Sequence, residues 1–518
     1  MSLSVQQQAS FISALFNTDS FSHPVDQLEL IETHISWVIL TGPYAYKIKK
    51  PVNLGFLDFS TLARRKHFCE EELRLNQRTA AAIYLEVVPI SGTPESPSWG
   101  EGNAIIEYAV KMVQFPQAAQ LDRLLASEGL TSNQIDAFAL LAAAFHANIG
   151  RADLPLRYGD PEHVLQPMTE NFSHIRECTD QSAYGTVLDE LEQWSLTQYQ
   201  QLTPLLVQRK QQGFIRECHG DLHLRNLAWV DDKPVAFDCI EFNPNLRWID
   251  VISDIAFLVM DLDARQQVAL AQRFLNRYLE INGDYHGIKL LRFYLVYRAL
   301  VRAKVDAIRL VQAGMDKQER DDIASELSGY LSLARGYTES AGRRLIITHG
   351  LSGSGKTTLT QGLLEKLSVV RIRSDVERKR LAGLQAMQSG QAEAGQGIYN
   401  KAFTDRTYDY LFEQVADILD AGFSVIVDAT FLQQRQRDQF WQLAMAKGVA
   451  FFILDFVAPA EILRQRIRQR SGDASDADVK VLERQLATCE PFSESEQPFV
   501  ISIDTVKESE IDSTLLHL

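Results

Sequence analysis

The first part of the chain carries short apolar runs with the length and composition of strands. Ser36–Leu40 and Tyr44–Lys49 are separated by Thr-Gly-Pro, whose residues favour a turn, so they predict a β-hairpin. A helical pattern from about 61 to 77 comes next. A Gly/Pro/Ser-rich stretch at 91–102 predicts a loop before another strand candidate at 105–113. This order predicts a lobe made mainly of strands.

Apolar residues then recur with the period of helices. This spacing covers 132–212 and, after a short hairpin pattern at 227–237, continues to about 338. A mainly helical lobe therefore follows the mainly β lobe. A polar segment between 336 and 344 interrupts the pattern, as residues at domain boundaries do. We therefore expect one domain at 1–338 and another at 343–518.

The C-terminal part alternates between apolar strand candidates and helical patterns. The strand candidates are 345–349, 369–373, 424–428, 450–456 and 499–503. Alternation of this kind predicts an α/β domain whose sheet is mostly parallel.

Composition and charge narrow the classes of function. Of the 518 residues, 46% are apolar and 23% charged, which is average globular usage and argues against a disordered or fibrous protein. A formal net charge of -15 disfavours a general nucleic-acid coat, although it leaves room for a local basic groove. Five cysteines without a CxxC pair indicate neither a disulfide framework nor a zinc site. Without a secretory signal or an apolar run long enough for a bilayer, we expect a cytoplasmic protein with no membrane partner.

The segment after the first C-terminal strand candidate matches the phosphate-binding pattern G-x-x-x-x-G-K-[ST]. It lies between a strand and a helical pattern, which is the context that this motif requires. Glycines let backbone N–H groups surround phosphates, while Lys356 reaches the β- and γ-phosphates of ATP and Thr357 holds Mg²⁺. The predicted nucleotide-binding residues are Gly350, Ser352, Gly353, Ser354, Gly355, Lys356, Thr357 and Thr358.

Carboxylates follow the next strand candidates, at the edge where open α/β sheets bind ligands. Asp375 is suited to accept a proton from an attacking hydroxyl or, alternatively, to cap the next helix. Asp428 is suited to organise the Mg²⁺ shell or only to cap a turn. Arg466 and Arg470 form an i,i+4 row that belongs either to a mobile lid over the phosphates or to a solvated basic face. These residues are the candidate catalytic and metal-binding groups of this domain.

GLSGSGKTT, RSDVER, VDATF and the arginine-rich stretch resemble the small P-loop kinases that include phage polynucleotide kinase, zeta-type toxins and gluconate kinase-like enzymes. The resemblance covers about 345–518. It implies that Asp375 is the acceptor-activating base, that Arg378 contacts acceptor or phosphate, and that the arginine row is a lid. Arg437 occupies another family-like position, which we assign to acceptor binding. The implied acceptor is a hydroxyl of a small molecule or the 5′-hydroxyl of a nucleic acid.

A second motif lies in the first part of the chain. The segment HGDLHLRN at 219–226, followed after the hairpin pattern by Asp238, matches H-x-D-x-x-x-x-N with a later metal-binding Asp. In this arrangement Asp221 orients and deprotonates an acceptor hydroxyl, while Asn226 and Asp238 hold Mg²⁺ on the ATP phosphates. We expect His219 to be structural.

HGDLHLRN and FDCIEF resemble the aminoglycoside phosphotransferase and choline kinase group, whose enzymes share the protein-kinase architecture but modify small molecules. The resemblance covers about 35–334. It implies that Lys47 contacts the α/β-phosphates and that Glu72 pairs with it from the following helix, with Lys49 or Glu70 as alternatives.

Asp250 and Asp254 are predicted to lie one turn apart on an otherwise apolar helix. Buried carboxylates need partners. We therefore expect both to organise the loop at 219–226 through hydrogen bonds to its backbone.

Together the patterns predict an α+β bilobal protein-kinase-like domain followed by an α/β P-loop kinase domain with a mostly parallel five-stranded sheet. The predicted function is ATP- and Mg²⁺-dependent transfer of the γ-phosphate to hydroxyl acceptors by two kinase modules. The alternative is a regulatory or toxin-related nucleotide switch in which one module controls the other. Carboxylates placed to activate an acceptor argue against the switch, because a pure binding module needs no acceptor base.

Overall fold

The computed structural model describes residues 5–506 except 26, 56, 103, 154–155, 313, 340–341, 387, 389–396, 470–474 and 476. The chain divides into two compact units, Met1–Pro167 with Gln201–Leu258 and Met168–Gln200 with Val259–Leu518. The second unit therefore includes helical segments that precede the C-terminal domain in sequence. The predicted boundary between 338 and 343 stays a prediction, because both sides of it lie within the second compact unit.

The first unit begins with a six-stranded antiparallel sheet. Its strands are β1 (Glu29–Glu32), β2 (Ser36–Leu40), β3 (Tyr44–Lys49), β4 (Tyr84–Thr93), β5 (Ser96–Trp99) and β6 (Ile105–Val113), in the order β1-β2-β3-β6-β4-β5. The predicted hairpin and the strand β6 are confirmed. The predicted loop at 91–102 is wrong in part, because β4 and β5 form a hairpin there. Its edge strand is half exposed and rich in Ser and Pro, so the apolar alternation that would have indicated a strand is weak.

The central strand β3 faces a different helix on each side of the sheet, since side chains alternate along a strand. Tyr46 is buried in an apolar cluster with residues of α1 (Val5–Leu15). Lys47 therefore points to the opposite face, where α2 (Leu62–Ala80) packs against β4 and β6. The helix α2 begins after Thr61, whose side chain accepts a backbone N–H of the first turn. This packing brings a helix directly beside Lys47.

The rest of the first unit is mainly helical. Its elements are α3 (Leu121–Ser127), α4 (Ser132–Asn148), α5 (Pro161–Cys178), α6 (Gln181–Gln211), β7 (Ile215–Glu217), β8 (Leu227–Val230), β9 (Lys233–Ala236), α7 (Pro244–Arg247), β10 (Trp248–Asp250) and α8 (Val251–Ala264). The helices α5 and α8 begin in the first unit and end in the second, whereas α6 begins in the second and ends in the first. The predicted hairpin is formed by β8 and β9, whose turn residues Asp231 and Asp232 have φ of 49° and 58°, as in a type I′ turn.

The second unit combines helices with a five-stranded parallel sheet. Its helices are α9 (Val268–Asn282), α10 (Leu291–Leu310), α11 (Lys317–Thr338), α12 (Lys356–Leu367), α13 (Ser374–Leu381), α14 (Lys401–Asp420), α15 (Gln434–Lys447), α16 (Ala460–Gln469) and α17 (Val479–Thr488). Its strands are β11 (Arg344–His349), β12 (Val369–Arg373), β13 (Ser424–Asp428), β14 (Ala450–Val457) and β15 (Val500–Asp504), in the order β12-β13-β11-β14-β15. The predicted fold class is confirmed.

The order of this sheet places the candidate groups along one edge. Ile346, Ile426 and Leu454 of three neighbouring strands are buried with Leu363 of α12 in one apolar core, which fixes the strands against the helix. Because the strands are parallel, the carboxyl ends of β11, β12 and β13 lie at the same edge of the sheet. The phosphate-binding segment, Arg373 and Asp428 therefore meet there.

No helix within the described ranges is long and apolar enough to cross a membrane. The five cysteines of the chain are free thiols. The cytoplasmic location stays a prediction.

Candidate active sites

The first candidate site begins with two lysines of β3 and a glutamate of α2. Glu72 is fully buried, with its Oε1 2.9 Å from Lys47 Nζ and its Oε2 2.6 Å from Lys49 Nζ. Lys47 also contacts Asp238, and Lys49 contacts Glu241. One carboxylate thus holds both lysines and orients them toward two further acidic residues.

Burial distinguishes the alternatives that the sequence leaves open for this pair. Glu70 lies on the exposed side of α2, 3.6 Å from Lys66, whereas Glu72 faces the sheet. The side chain of Lys47 is 13% exposed and that of Lys49 is 1% exposed. Of the two lysines, Lys47 is the one that a ligand can reach.

Electrostatic attraction keeps this group ionised despite its burial. Burial alone would raise the pKa of Glu72, but Lys47 and Lys49 hold it well below its ordinary value. Burial alone would lower the pKa of Lys47, but Asp238 and Glu72 hold it well above its ordinary value. Lys47 is therefore a permanent cation at the position predicted for the phosphates.

The catalytic loop (219–226) is held in place by Asp254 in the first turn of α8. Asp254 Oδ2 accepts the N–H of His219 at 3.1 Å, and Oδ1 accepts that of Gly220 at 2.8 Å. Asp254 Oδ2 also lies 3.0 Å from His146 Nε2. The ring of His219 is buried, which lowers its pKa, and its Nε2 lies 2.9 Å from a backbone carbonyl of the hairpin. These contacts agree with the structural role predicted for His219.

The expectation that Asp250 shares the role of Asp254 is wrong. Asp250 is the last residue of β10 and forms a buried bidentate ion pair with Arg209, at 2.6 Å from Nε and 2.9 Å from Nη2. It also accepts the N–H of Ile252 at 2.9 Å. The partner of Asp250 is thus a distant arginine, which spacing along the chain does not indicate.

Asp221 and Asn226 contact each other directly in the catalytic loop. Asn226 Nδ2 donates to Asp221 Oδ2 at 2.7 Å and to the Asp221 carbonyl at 3.0 Å. Asn226 is buried, whereas 33% of the Asp221 side chain is exposed. The loop turns at Gly220, which has a φ of 84° and where a Cβ would lie 2.6 Å from the Leu246 carbonyl oxygen. The loop therefore presents the Asp221 carboxylate to solvent in a defined orientation.

Asp238 reaches the same site from the end of the hairpin. It has a φ of 62°, a left-handed conformation that non-glycine residues adopt mainly where the surroundings enforce it. Its N–H donates to Tyr84 Oη at 3.2 Å, and the preceding N–H of Phe237 donates to the Asn226 carbonyl at 2.9 Å. The side chain of Asp238 is 43% exposed and contacts Lys47. The hairpin thus connects Asp238 to the catalytic loop and to β3.

The donor set of this site fits a divalent metal ion. Carboxylate and amide oxygens are the ligands that hard cations such as Mg²⁺ prefer. Because Asn226 Nδ2 is directed at Asp221, its Oδ1 is the atom that a metal would use, together with the partly exposed carboxylate of Asp238.

The second candidate site is the P-loop at the end of β11. Gly350, Gly353 and Gly355 have φ of 139°, 83° and 89°. A Cβ on Gly350 would lie 2.7 Å from the Phe456 carbonyl oxygen, and one on Gly353 would lie 3.0 Å from that of Leu463. These positions therefore require glycine, and the backbone forms the close cradle that phosphate binding needs.

Lys356 begins α12 and folds over the cradle. Its Nζ donates to the carbonyls of Gly350 and Leu351, both at 2.9 Å. Thr358 lies in the first turn of the same helix, whose N-terminal N–H groups favour an anion. These two carbonyls hold Lys356 beside the predicted phosphate cradle.

Two serines of the P-loop have different partners. Ser354 is buried, with its Oγ 3.4 Å from Lys356 Nζ. The N–H of Ser352 donates to Gln485 Oε1 of α17 at 2.8 Å. Gln485 was not predicted, because it follows the motif by 133 positions and carries no pattern of its own.

Thr357 and Asp428 supply the metal donors of the second site. Thr357 Oγ1 donates to Asp428 Oδ2 at 2.7 Å, and Asp428 is buried at the end of β13. A hydroxyl and a carboxylate beside a phosphate cradle are the oxygen donors that Mg²⁺ accepts. The residues present therefore fit a divalent metal ion.

Asp375 and Arg378 lie on α13, which follows β12. The helix begins at Ser374 with Arg373 as its N-cap residue, so Asp375 is in the first turn and the alternative that it caps the helix is wrong. Arg378 is buried, and its Nη1 donates to Thr404 Oγ1 at 3.0 Å. The roles of Asp375 as base and of Arg378 at the acceptor stay predictions.

Arg466, one of the two arginines of the predicted lid, lies beside the P-loop. Arg466 donates to Thr505 Oγ1 at 2.9 Å and to the Thr505 carbonyl at 2.8 Å, and Nη1 is 3.5 Å from the Gly353 carbonyl oxygen. Arg470 lies outside the described residues. The lid therefore stays a prediction.

Arg437 is buried in an ion pair, which argues against its predicted role at the acceptor. It is buried, and its Nε lies 2.5 Å and its Nη2 3.2 Å from the carboxylate of Glu496. Its remaining N–H groups donate to the carbonyls of Phe431, Glu490 and Pro491 at 3.1, 3.4 and 3.1 Å. With these bonds made, Arg437 holds α15 to the segment before β15, and we withdraw it from the acceptor site.

Glu241 is the residue of the first site that the motifs did not single out. It belongs to FDCIEF, is buried and contacts Lys49. Its position, three residues after the predicted metal ligand Asp238, indicated that Glu241 lies near the site. Its partner Lys49 could not be predicted, because the two residues are 192 positions apart in the sequence.

Two families of known proteins match this arrangement. Residues 59–291 match the family described as "Phosphotransferase enzyme family", and residues 345–492 match a family described as "AAA domain". The chain is a kinase that joins a phosphotransferase domain of the aminoglycoside type to a P-loop kinase domain. Kinases of these types use ATP with a divalent metal ion.

Relatives that align with most of this chain are found in mycobacteria. An uncharacterized protein of Mycobacterium tuberculosis and one of Mycobacterium bovis are each 30% identical to this chain over 463 residues, covering 89% of it and 90% of their own length. The chain belongs to the same family as these proteins.

Solved structures resemble one or the other part of the chain. A sugar kinase from Janibacter sp. is 24% identical with a TM-score of 0.27, covering 34% of this chain and 94% of its own. An ethanolamine kinase from Plasmodium vivax is 10% identical with a TM-score of 0.38, covering 62% and 86%.

Proposed function

We propose that the chain is a bifunctional kinase that transfers the γ-phosphate of Mg²⁺-bound ATP to hydroxyl groups at two separate sites. The observation that carries the proposal is that each site combines a lysine with oxygen donors suited to a divalent cation. In the first site Lys47 contacts Asp238, and in the second Lys356 lies in the P-loop beside Thr357 and Asp428. Such sites catalyse phosphoryl transfer by positioning and by charge stabilisation.

In the first module, Lys47 would bind the α/β-phosphates while Asn226 and Asp238 would hold Mg²⁺, which neutralises phosphate charge when bound. Asp221 would orient the acceptor hydroxyl and take its proton as that oxygen bonds to phosphorus and ADP leaves. The partly exposed carboxylate of Asp221, held by Asn226, supports this role. The acceptor is a small molecule, because the chain lacks the A-P-E segment of protein kinases.

In the second module, Lys356 would bind the β/γ-phosphates, with Thr357 and Asp428 holding Mg²⁺. Asp375 would act as the base. Arg466 and Arg470 would neutralise charge from a lid.

The acceptor that we propose for the second module is a hydroxyl of a small molecule. A nucleic-acid 5′ end stays a prediction that no comparison supports. Arg378 stays the proposed acceptor contact of this module, whereas Arg437 no longer does.

Transfer of labelled γ-phosphate to a metabolite extract tests the proposal and distinguishes it from the nucleotide switch. The full-length chain should produce at least two labelled products, one lost in Asp221→Asn and another lost in Lys356→Ala. Saturable ATP binding without acceptor-dependent labelling by either module would favour the switch and overturn the proposal.

A further inference from the structure

The edge strand β12 of the parallel sheet is covered by α9, a helix that precedes the P-loop domain in sequence. Asn276 Nδ2 donates to the Val369 carbonyl at 2.9 Å, and the Arg371 N–H donates to Asn276 Oδ1 at 2.7 Å. The side-chain amide of Asn276 thus makes two of the hydrogen bonds that a neighbouring strand would make with an edge strand. These two bonds fix α9 along β12.

Glu280 follows Asn276 by four positions and therefore lies on the same face of α9. It is buried, with its Oε2 3.3 Å from Arg371 Nη2 and its Oε1 3.1 Å from Arg373 Nη1. Arg277 Nη1 also lies 3.2 Å from Oε1. The two oxygens of one carboxylate thus hold the two arginines that alternate along β12.

Each of these arginines contacts one of the two proposed metal ligands of the P-loop site. Arg371 Nη1 donates to the carbonyl of Thr357 at 3.2 Å, at the first turn of α12. Arg373 Nε lies 3.7 Å from Asp428 Oδ2. Glu280 therefore contacts both metal ligands indirectly, each through one arginine.

Loss of the Glu280 charge would act on the metal site in two ways. Arg373 would lose a carboxylate partner and could close on Asp428, whose Oδ2 lies 3.7 Å from its Nε. The site would also lose one negative charge that offsets the two arginines beside the cation. Both effects weaken cation binding, and partners of metal ligands commonly have such influence.

We infer that Glu280 is a positioning residue for the metal site of the P-loop module, holding Arg371 and Arg373 so that Thr357 and Asp428 stay available to a divalent cation. The inference rests on the proposed function of this module. Glu280 lies within the match to the phosphotransferase family at 59–291 and outside the AAA match at 345–492. The segment recognised as the P-loop domain thus lacks a residue that its own metal site uses.

The experiment measures binding of a fluorescent ATP analogue to the full-length chain in the Lys47→Met background, which removes the phosphate-binding lysine of the first site. The quantity of interest is the metal enhancement, the Kd in EDTA divided by the Kd in Mg²⁺. Glu280→Gln should lower this enhancement about tenfold, the smaller of the effects typical for partners of metal ligands, while the Kd in EDTA changes less than about twofold. Glu280→Asp, which keeps the charge, should retain most of the enhancement.

The matched control is Glu365→Gln, which breaks another ion pair of α9 with α12, between Arg273 Nη1 and Glu365 Oε1 at 3.1 Å. It should leave the enhancement unchanged and lower Tm less than Glu280→Gln does, because Glu365 is 33% exposed and pairs with Arg273, whereas Glu280 is buried and pairs with three arginines. An unchanged enhancement in Glu280→Gln, or an equal loss in Glu365→Gln, would overturn the inference. If the binding in this background does not depend on Lys356, the proposed function of the module fails instead, because Lys356→Ala should abolish it.

Discussion

The two sites hold their phosphate-binding lysines in different ways. Lys47 rests on the carboxylates of Glu72 and Asp238, whereas Lys356 rests on the neutral carbonyls of Gly350 and Leu351. An ammonium group is attracted more strongly by a carboxylate than by a neutral carbonyl, so a phosphate displaces Lys356 from these two carbonyls more easily than it displaces Lys47 from its carboxylates. The two sites thus hold a lysine in different ways, and we expect their binding of ATP to depend differently on the metal ion.

The variant for which we expect the greatest loss of activity is Asp221→Asn, which removes the proposed acceptor base of the first site and leaves the second site intact. Asp221→Asn should lower transfer by the first module about 10²- to 10⁴-fold, because it removes the carboxylate that takes the proton but not Asn226 or Asp238. Transfer by the second module should be unchanged. The measurement is acceptor-dependent labelling of the two products, with ATP binding followed in parallel.

The matched control for this variant is Asp232→Asn, an exposed aspartate in the turn of the adjoining hairpin, at a φ of 58° that Asn also tolerates. It should retain full activity. Normal turnover in Asp221→Asn would show that Asp221 is not the base.

A smaller effect concerns the stability that the buried ion pairs of Glu72 give to the first site. The native pKa of Glu72 is below its ordinary value, so Glu72 stabilises the fold at every pH above that ordinary value. As pH falls further, the unfolded chain takes up the proton first and this contribution is lost. Glu72→Gln should therefore destabilise the chain by about 1–3 kcal/mol at neutral pH and by progressively less below pH ~4.5.

Urea unfolding of both chains between pH 7 and pH 3 measures this difference. The exposed Glu70→Gln variant serves as the control and should show a small difference at every pH. A gap between wild type and Glu72→Gln that stays constant down to pH 3 would contradict the assigned pKa direction.

The smallest effect concerns metal removal and tests the comparison of the two lysines. Without a cation to neutralise Asp238, ATP phosphates must approach this carboxylate to reach Lys47, whereas the carboxylate of Asp428 in the second site contacts Thr357 and Arg373. EDTA should therefore weaken ATP binding about tenfold more at the first site than at the second, a difference of about 1.4 kcal/mol. Lys356→Ala isolates the first site and Lys47→Met the second, so that each Kd is measured alone. Equal losses would remove the distinction between the sites.

Much of the fold could be predicted because its signals are local. The five strands of the parallel sheet are apolar runs between helices, and their predicted bounds lie within one residue of the observed ones. The edge strand β5 could not be predicted, since its residues are exposed or half buried and carry no apolar alternation. Local patterns therefore identify buried strands better than exposed ones.

The sites show the same division between local and distant signals. The P-loop is one continuous segment, so its motif predicts the glycine cradle and Lys356. The partners of Glu241, Asp250 and Arg437 are set by tertiary packing, and no spacing along the chain indicates them. For Arg437 the family-like position predicted an acceptor contact, whereas burial with Glu496 explains the residue.

The number of ATP molecules bound per chain tests the central claim of two separate nucleotide sites most directly. Equilibrium dialysis with labelled ATP and Mg²⁺ should give two per chain for the wild type, one for Lys47→Met, one for Lys356→Ala and none for the double variant. A single ATP bound by the wild-type chain, or loss of both by one substitution, would contradict the claim.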